Sequence, residues 1–204
     1  MSPFLLTALA YVVGATPTSF WVGKAKGIDL RTRGSGNLGA TNAFRVLGWR
    51  AALPVIVVDV FKGWLPAWVF PRLDGDAAWG WVLAYGGAAI VGHMFSFWVR
   101  FRGGKGVATS GGVFIALAPL AALVGFVVWA LTVVLTRFVS VGSIAAALAL
   151  PIAIALTAPP GGRALLGFTS GLAAFVIWAH RSNVGRLLRG EEPRIGRRAP
   201  AGTP

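Results

Sequence analysis

Three stretches of this sequence bring glycines, small polar residues and cations together at spacings that suit a phosphorylated anion. The first is Gly34-Ser35-Gly36-Asn37-Leu38-Gly39-Ala40-Thr41-Asn42, with Arg45 three residues on. Glycines permit turns that gather backbone N–H groups around an anion. The spacing predicts a helix over Ala43–Leu47, capped by Thr41 or Asn42, with its positive end toward that anion. Arg45, a turn along, offers a forked guanidinium to phosphate. The glycines fit G-x-G-x-x-G, but no strand precedes them, so a dinucleotide fold is not indicated.

The second stretch runs from Gly92-His93-Met94-Phe95-Ser96-Phe97 into Arg100-Phe101-Arg102-Gly103-Gly104-Lys105-Gly106. Lys105 among three glycines suits an oxyanion site at a helix start. It is not a nucleotide P-loop, because Val99 holds the earlier glycine position and Gly106 stands where Ser or Thr should follow the lysine. His93 is expected to orient or pack at a helix end. The third stretch, His180-Arg181-Ser182-Asn183 through Glu192, places His180 and Asn183 on one face if helical. Glu192 lies among arginines and is expected to form a structural ion pair. Ser140 and Ser143, flanking Gly142, are expected in a loop as hydrogen-bond donors.

The elements that must position these residues are membrane helices. Of 204 residues, 56% are hydrophobic and 12% charged, with mean hydropathy +0.72. A soluble domain carries about 25% charged residues, so this chain cannot cover a water-facing surface in the usual way. Spans need roughly 20 apolar residues, and Pro3–Val22, Ala51–Phe70 and Trp79–Val99 qualify. Val107–Thr136 is read as two short helices broken near Pro119. Ala145–Leu156, short unless it begins at Val141, and Ala164–Ala179 complete an all-α set of seven spans. Asp59 and Lys62, three apart within a span, are expected to neutralise one another.

Nineteen Lys and Arg against six Asp and Glu give a net charge of +13. With seven spans and the N-terminus outside, sixteen of these cations fall on inside segments. Arg72 and Arg163 fall outside, and Lys62 lies within a span. Asp74 and Asp76 share the first outside loop. Topology and anionic ligands thus account for the charge, and nucleic acid is not needed. Residues 1–190 form one domain. Residues 191–204 form a basic, mobile tail suited to anionic lipid headgroups. With no cysteine and few carboxylates, no metal or other cofactor is expected, and no obligate protein partner is evident.

The motifs GSGNLGATNAFRVLG (34–48), GHMFSFWVRFRGGKGVATS (92–110) and HRSNVGRLLRGEE (180–192) resemble the bacterial acyl-phosphate:glycerol-3-phosphate acyltransferases, the PlsY family. Asp59-x-x-Lys62-Gly63 and the Ser140–Ser143 stretch are similar too. The likeness covers nearly the whole chain. Ser96 stands where the family usually has Pro, Arg102 where it usually has Lys, and Glu191 where it often has Thr.

The resemblance implies a seven-helix enzyme of the bacterial inner membrane with its site on the cytoplasmic face. It moves an acyl group from acyl phosphate to the 1-hydroxyl of glycerol 3-phosphate, giving lysophosphatidic acid and phosphate. By motif, Ser35, Arg45, Lys105, His180 and Asn183 would be catalytic. Gly34, Gly36, Asn37, Thr41, Asn42, Gly103, Gly104, Gly106 and Ser143 would hold substrate, and Glu192 would support the structure. The H-x-x-x-x-D motif of other glycerolipid acyltransferases is absent, since Trp98 and Gly185 stand where the Asp would fall. A small-anion or phosphate transporter is the alternative. It would want paired polar groups at mid-membrane in repeated halves.

Overall fold

The computed structural model describes residues 1–75 and 77–196. Asp76 and residues 197–204, including Arg197 and Arg198 of the tail, lie outside the described residues. The described chain is helical, with no strand among those residues. The helices are α1 (Pro3–Gly14), α2 (Thr18–Ala25), α3 (Ala40–Leu47), α4 (Trp49–Asp74) and α5 (Trp79–Met94), followed by α6 (Val107–Leu117), α7 (Pro119–Thr136), α8 (Val139–Thr157), α9 (Gly162–Ala179) and α10 (Arg181–Leu188). A 3-10 turn, Phe97–Val99, sits between α5 and α6. Six segments, with α1 and α2 counted as one, are long and apolar enough to cross a membrane, and α6 is a shorter apolar helix.

Several boundaries differ from expectation. The first span is not one helix to Val22. It breaks after Gly14 and resumes at Thr18, reaching Ala25. Pro17 lacks an N–H, so helical bonding lapses there. The freed carbonyls find other donors: Ala15 O accepts from the Ser96 hydroxyl, and Thr16 O from Lys62 Nζ at 2.8 Å. α4 runs past both expected ends despite Pro54, Pro66 and Pro71. α3 begins at Ala40 with Gly39 as its N-cap and no side-chain cap, so neither Thr41 nor Asn42 caps it. Ser140 and Ser143 lie in the first turns of α8, not in a loop. The break near Pro119 falls as the proline requires, with Ala118 between α6 and α7.

Packing follows membrane rules, in which small residues let helices approach closely. A Cβ on Gly63 would overlap the Thr109 carbonyl, and one on Gly112 would overlap that of Val60, so α4 and α6 meet backbone to backbone. Gly14 and Gly92 do the same for α1 and α5. The outer faces are apolar and open: Val134, Leu135 and Leu156 are 76%, 82% and 82% exposed, which fits contact with lipid rather than water.

Inside the bundle, Asp59 and Lys62 pair at 2.8 Å with both side chains nearly fully buried. Thr18 donates to Asp59 at 3.4 Å, and His93 Nδ1 lies 3.7 Å from the same oxygen. The expected intramembrane pair forms, and it is joined to α2 and α5.

Candidate active site

The first glycine loop is shaped by the side chain of Asn42. Its amide Nδ2 donates to the carbonyls of Leu30 and Arg33, both at 3.1 Å, while Oδ1 accepts the Ser35 N–H at 2.9 Å. Asn42 is 1% exposed, so it braces the loop from within. Gly34 and Gly36 take φ of +60° and +70°, a region open to glycine at little cost. Ser35, Gly36 and Asn37 are thereby turned to the surface of a cleft.

The second loop leaves α5 through the Phe97–Val99 turn. Arg100 and Phe101, both at positive φ, reverse the chain. The Gly103 N–H then donates to Met94 O at 2.9 Å and the Gly104 N–H to His93 O at 3.2 Å. These two amides are thus occupied by the end of α5. Gly106, at φ +78°, starts α6. Lys105 stands at the turn, and its Nζ donates to Asn183 Oδ1 on α10.

α10 brings the third motif alongside. Asn183 Nδ2 donates to Glu192 Oε1 at 2.7 Å, Ser140 donates to the same oxygen at 2.8 Å, and Arg186 Nε meets Oε2 at 2.8 Å. Glu192 is buried, so residues 191–196 are held against the body, with the Ile195 N–H donating to Arg137 O at 2.8 Å. Arg45 Nη2 donates to Pro193 O at 3.2 Å, and its Nε is buried without a partner.

The cleft formed by these three motifs measures about 340 Å³. Ser35, Gly36, Asn37, Gly103, Gly104 and Lys105 line it, as expected residues. Arg102, Arg181, Ser182, Arg186 and Trp178 line it as well. Arg186 and Ser182 were legible only as members of the third motif, and sequence reasoning spent the arginine on topology. Gly34, Thr41, Asn42, Arg45, Gly106, His180 and Asn183 do not line the cleft themselves, and Ser143 donates to Val139 O within α8 at 2.9 Å.

Burial pushes Lys105 down to about 8, helped by the charges of Arg186, Arg45 and Arg181 and opposed by Glu192. Burial also lowers Arg45, although it remains a cation. His180 is brought down to about 4, by burial first and the Lys105 charge second. Its Nδ1 lies 2.8 Å from Val176 O, so the neutral ring donates there and leaves Nε2 free to accept. Burial raises Glu192, but hydrogen bonds from Asn183, Ser140 and Arg186 outweigh it and hold the carboxylate ionised.

The profile of the family described as glycerol-3-phosphate acyltransferase matches residues 4–190. The chain belongs to this family. The glycerol-3-phosphate acyltransferase of Synechococcus elongatus is 43% identical, with 97% of each chain covered. Crystal structures of PlsY, an integral membrane glycerol 3-phosphate acyltransferase, superpose on 96% of each chain. The glycerol 3-phosphate form has 36% identity and a TM-score of 0.89, and the lysophosphatidic acid form 35% and 0.87. The protein is therefore an integral membrane acyltransferase of phospholipid synthesis, and the family decides for the enzyme over the transporter.

Proposed function

We propose that this acyltransferase uses acyl phosphate as its donor and the 1-hydroxyl of glycerol 3-phosphate as its acceptor. The observation that carries this reading is that both glycine loops, the second with Lys105, open on one cleft, with no carboxylate among the described lining residues. Such a cleft suits two phosphates side by side. An acyl phosphate is already activated, so no covalent enzyme intermediate is needed. The hydroxyl oxygen bonds the acyl carbon, the bond from that carbon to the phosphate oxygen breaks, and the departing phosphate takes the hydroxyl proton. Lys105, Ser35 and Arg45 hold both substrates and stabilise the negative charge that develops. The Gly103 and Gly104 N–H groups are held by the end of α5, so a phosphate here would rely on Lys105 and the helix start that follows it.

The donor's acyl chain needs an apolar path. A groove of about 820 Å³ runs between α1, α5 and α9, lined by Phe4, Tyr11, Trp81, Val91 and Phe168 among others. Tyr11 donates to the carbonyl of Phe95 at 2.7 Å, and Phe95 lines the phosphate cleft, so groove and cleft adjoin. We assign the cleft to the cytoplasmic face of the bacterial inner membrane, with the N-terminus outside, because the basic segments gather on its side. The chain has no cysteine, so single introduced cysteines would report this orientation by labelling.

The deciding experiment is phosphate release by purified protein given palmitoyl phosphate and glycerol 3-phosphate. Turnover with acyl phosphate is expected. Turnover with acyl-CoA alone would overturn the donor assignment. In the same assay His180→Gln should keep measurable turnover, whereas near-complete loss with unchanged substrate binding would make His180 the base.

A further inference from the structure

His93 takes no part in the chemistry proposed above, yet it sits where the two glycine loops meet. Gly104 lies between its ring and the first loop. A Cβ at Gly104 would overlap His93 Nε2 on one side and come within 2.8 Å of Leu38 O on the other. Leu38 is itself fixed, 3% exposed in a cluster with Leu30, Ala43 and Val99. On the far side of the ring, Nδ1 faces Asp59 at 3.7 Å. Asp59 is anchored in turn by Lys62 at 2.8 Å, and Lys62 by the Thr16 carbonyl at 2.8 Å. The backbone of His93 adds a third tie by accepting the Gly104 N–H at 3.2 Å.

One ring therefore backs the Lys105 loop against the Ser35 loop, while an ion pair inside the bundle holds the ring. We propose that His93 is a positioning residue that sets the spacing between the two substrate loops. This rests on the reading that both loops hold phosphorylated substrates. A histidine suits the place because its two nitrogens lie on opposite edges of a rigid plane. Phenylalanine would fill the volume but offer Asp59 nothing polar in a dry interior.

The test uses the full chain purified in detergent with palmitoyl phosphate and glycerol 3-phosphate. His93→Gln, whose amide reaches Gly104, should retain more turnover than His93→Asn, which reaches only toward Asp59. His93→Leu should lower kcat on the order of 100-fold, the effect of a misplacement near 1 Å, with each KM moved less than about threefold. Amide hydrogen exchange gives a readout independent of activity: it should rise together in residues 34–38 and 103–106 of His93→Leu. Exchange rising in one loop alone, a loss carried by KM, or Asn outperforming Gln would overturn the proposal. Coupled exchange in a chain whose wild type does not turn over acyl phosphate would uphold the spacing role and overturn the donor assignment instead. Should His93→Leu fail to survive purification, the order of Gln and Asn still decides.

Discussion

Asp59, Lys62 and His93 meet inside the helix bundle, whereas Lys105, Asn183, Arg186, Arg45 and Glu192 meet at its end. Both groups are largely withdrawn from water, yet they are balanced differently. In the first, one carboxylate faces one ammonium, and the lysine's remaining contact is a backbone carbonyl. In the second, a single carboxylate serves several cations, and Arg45 Nε is left without a partner. A buried charge needs compensation. A closed, neutral cluster can hold structure, while one with surplus positive charge is completed only by an added anion. The comparison separates scaffold from site without reference to any motif.

Breaking the inner cluster should have the largest effect. Asp59→Ala leaves Lys62 buried and unpaired, which should destabilise the fold by about 3–5 kcal/mol. Thermal unfolding in detergent would show it. The double change Asp59→Leu with Lys62→Met should recover most of that stability, because it removes both charges together. If the double variant is as unstable as the single, the cluster is not a neutral unit.

The outer cluster should respond in activity rather than stability. Lys105→Met should cost roughly 100- to 1,000-fold in kcat, as for other groups that stabilise developing charge, with unfolding nearly unchanged. Steady-state kinetics beside a melting curve would check it. Equal losses in both measurements would erase the contrast between the clusters.

Glu192→Gln comes next. It removes the one carboxylate among these cations and leaves Arg186 and Asn183 poorly paired, at about 1–3 kcal/mol of stability. It should also depress Lys105 further and move the basic limb of the pH profile to lower pH.

That limb is the mildest prediction. Lys105 sits at about 8 in the free protein. It is protonated below that value, so kcat/KM should fall as pH rises through it. Bound phosphate favours the charged form, so the limb in kcat should lie at higher pH. A kcat/KM flat to pH 10 would mean that Lys105 is not so depressed.

The spans were legible because lipid imposes a length and an apolar composition that the chain cannot disguise. The turn at Ala118 followed from one proline. The break at Pro17 was missed because Pro3–Val22 has the right length for a single span, although Thr16-Pro17-Thr18-Ser19 interrupts its apolar run with a proline. What the sequence could not show is how the freed carbonyls are satisfied, by the remote donors Ser96 and Lys62. A proline at 96 would have no hydroxyl to make that bond. Of the site, Ser35 and Lys105 were found by residue type and reach the cleft. Asn42 was read as a ligand from its place in the motif, but only the fold shows both ends of its amide turned in. The seating of Gly104 between His93 and Leu38 joins residues far apart in the chain through backbone atoms, which carry no sequence signal.

The shortness of α6 has a bearing on depth. α6 and α7 leave the same turn at Ala118, with eleven and eighteen residues respectively. At 1.5 Å per residue, the Gly106 end of α6 falls short of the Arg137 end of α7 by up to about 10 Å. Both ends lie on the side where residues 191–196 cross the molecule, so Lys105 is set back toward Ala118 relative to Arg137. The acyl phosphate donor proposed above would then present its anhydride with less need to lift its chain out of the oil. The water-soluble acceptor would make the longer journey, to a cleft already lined with charge.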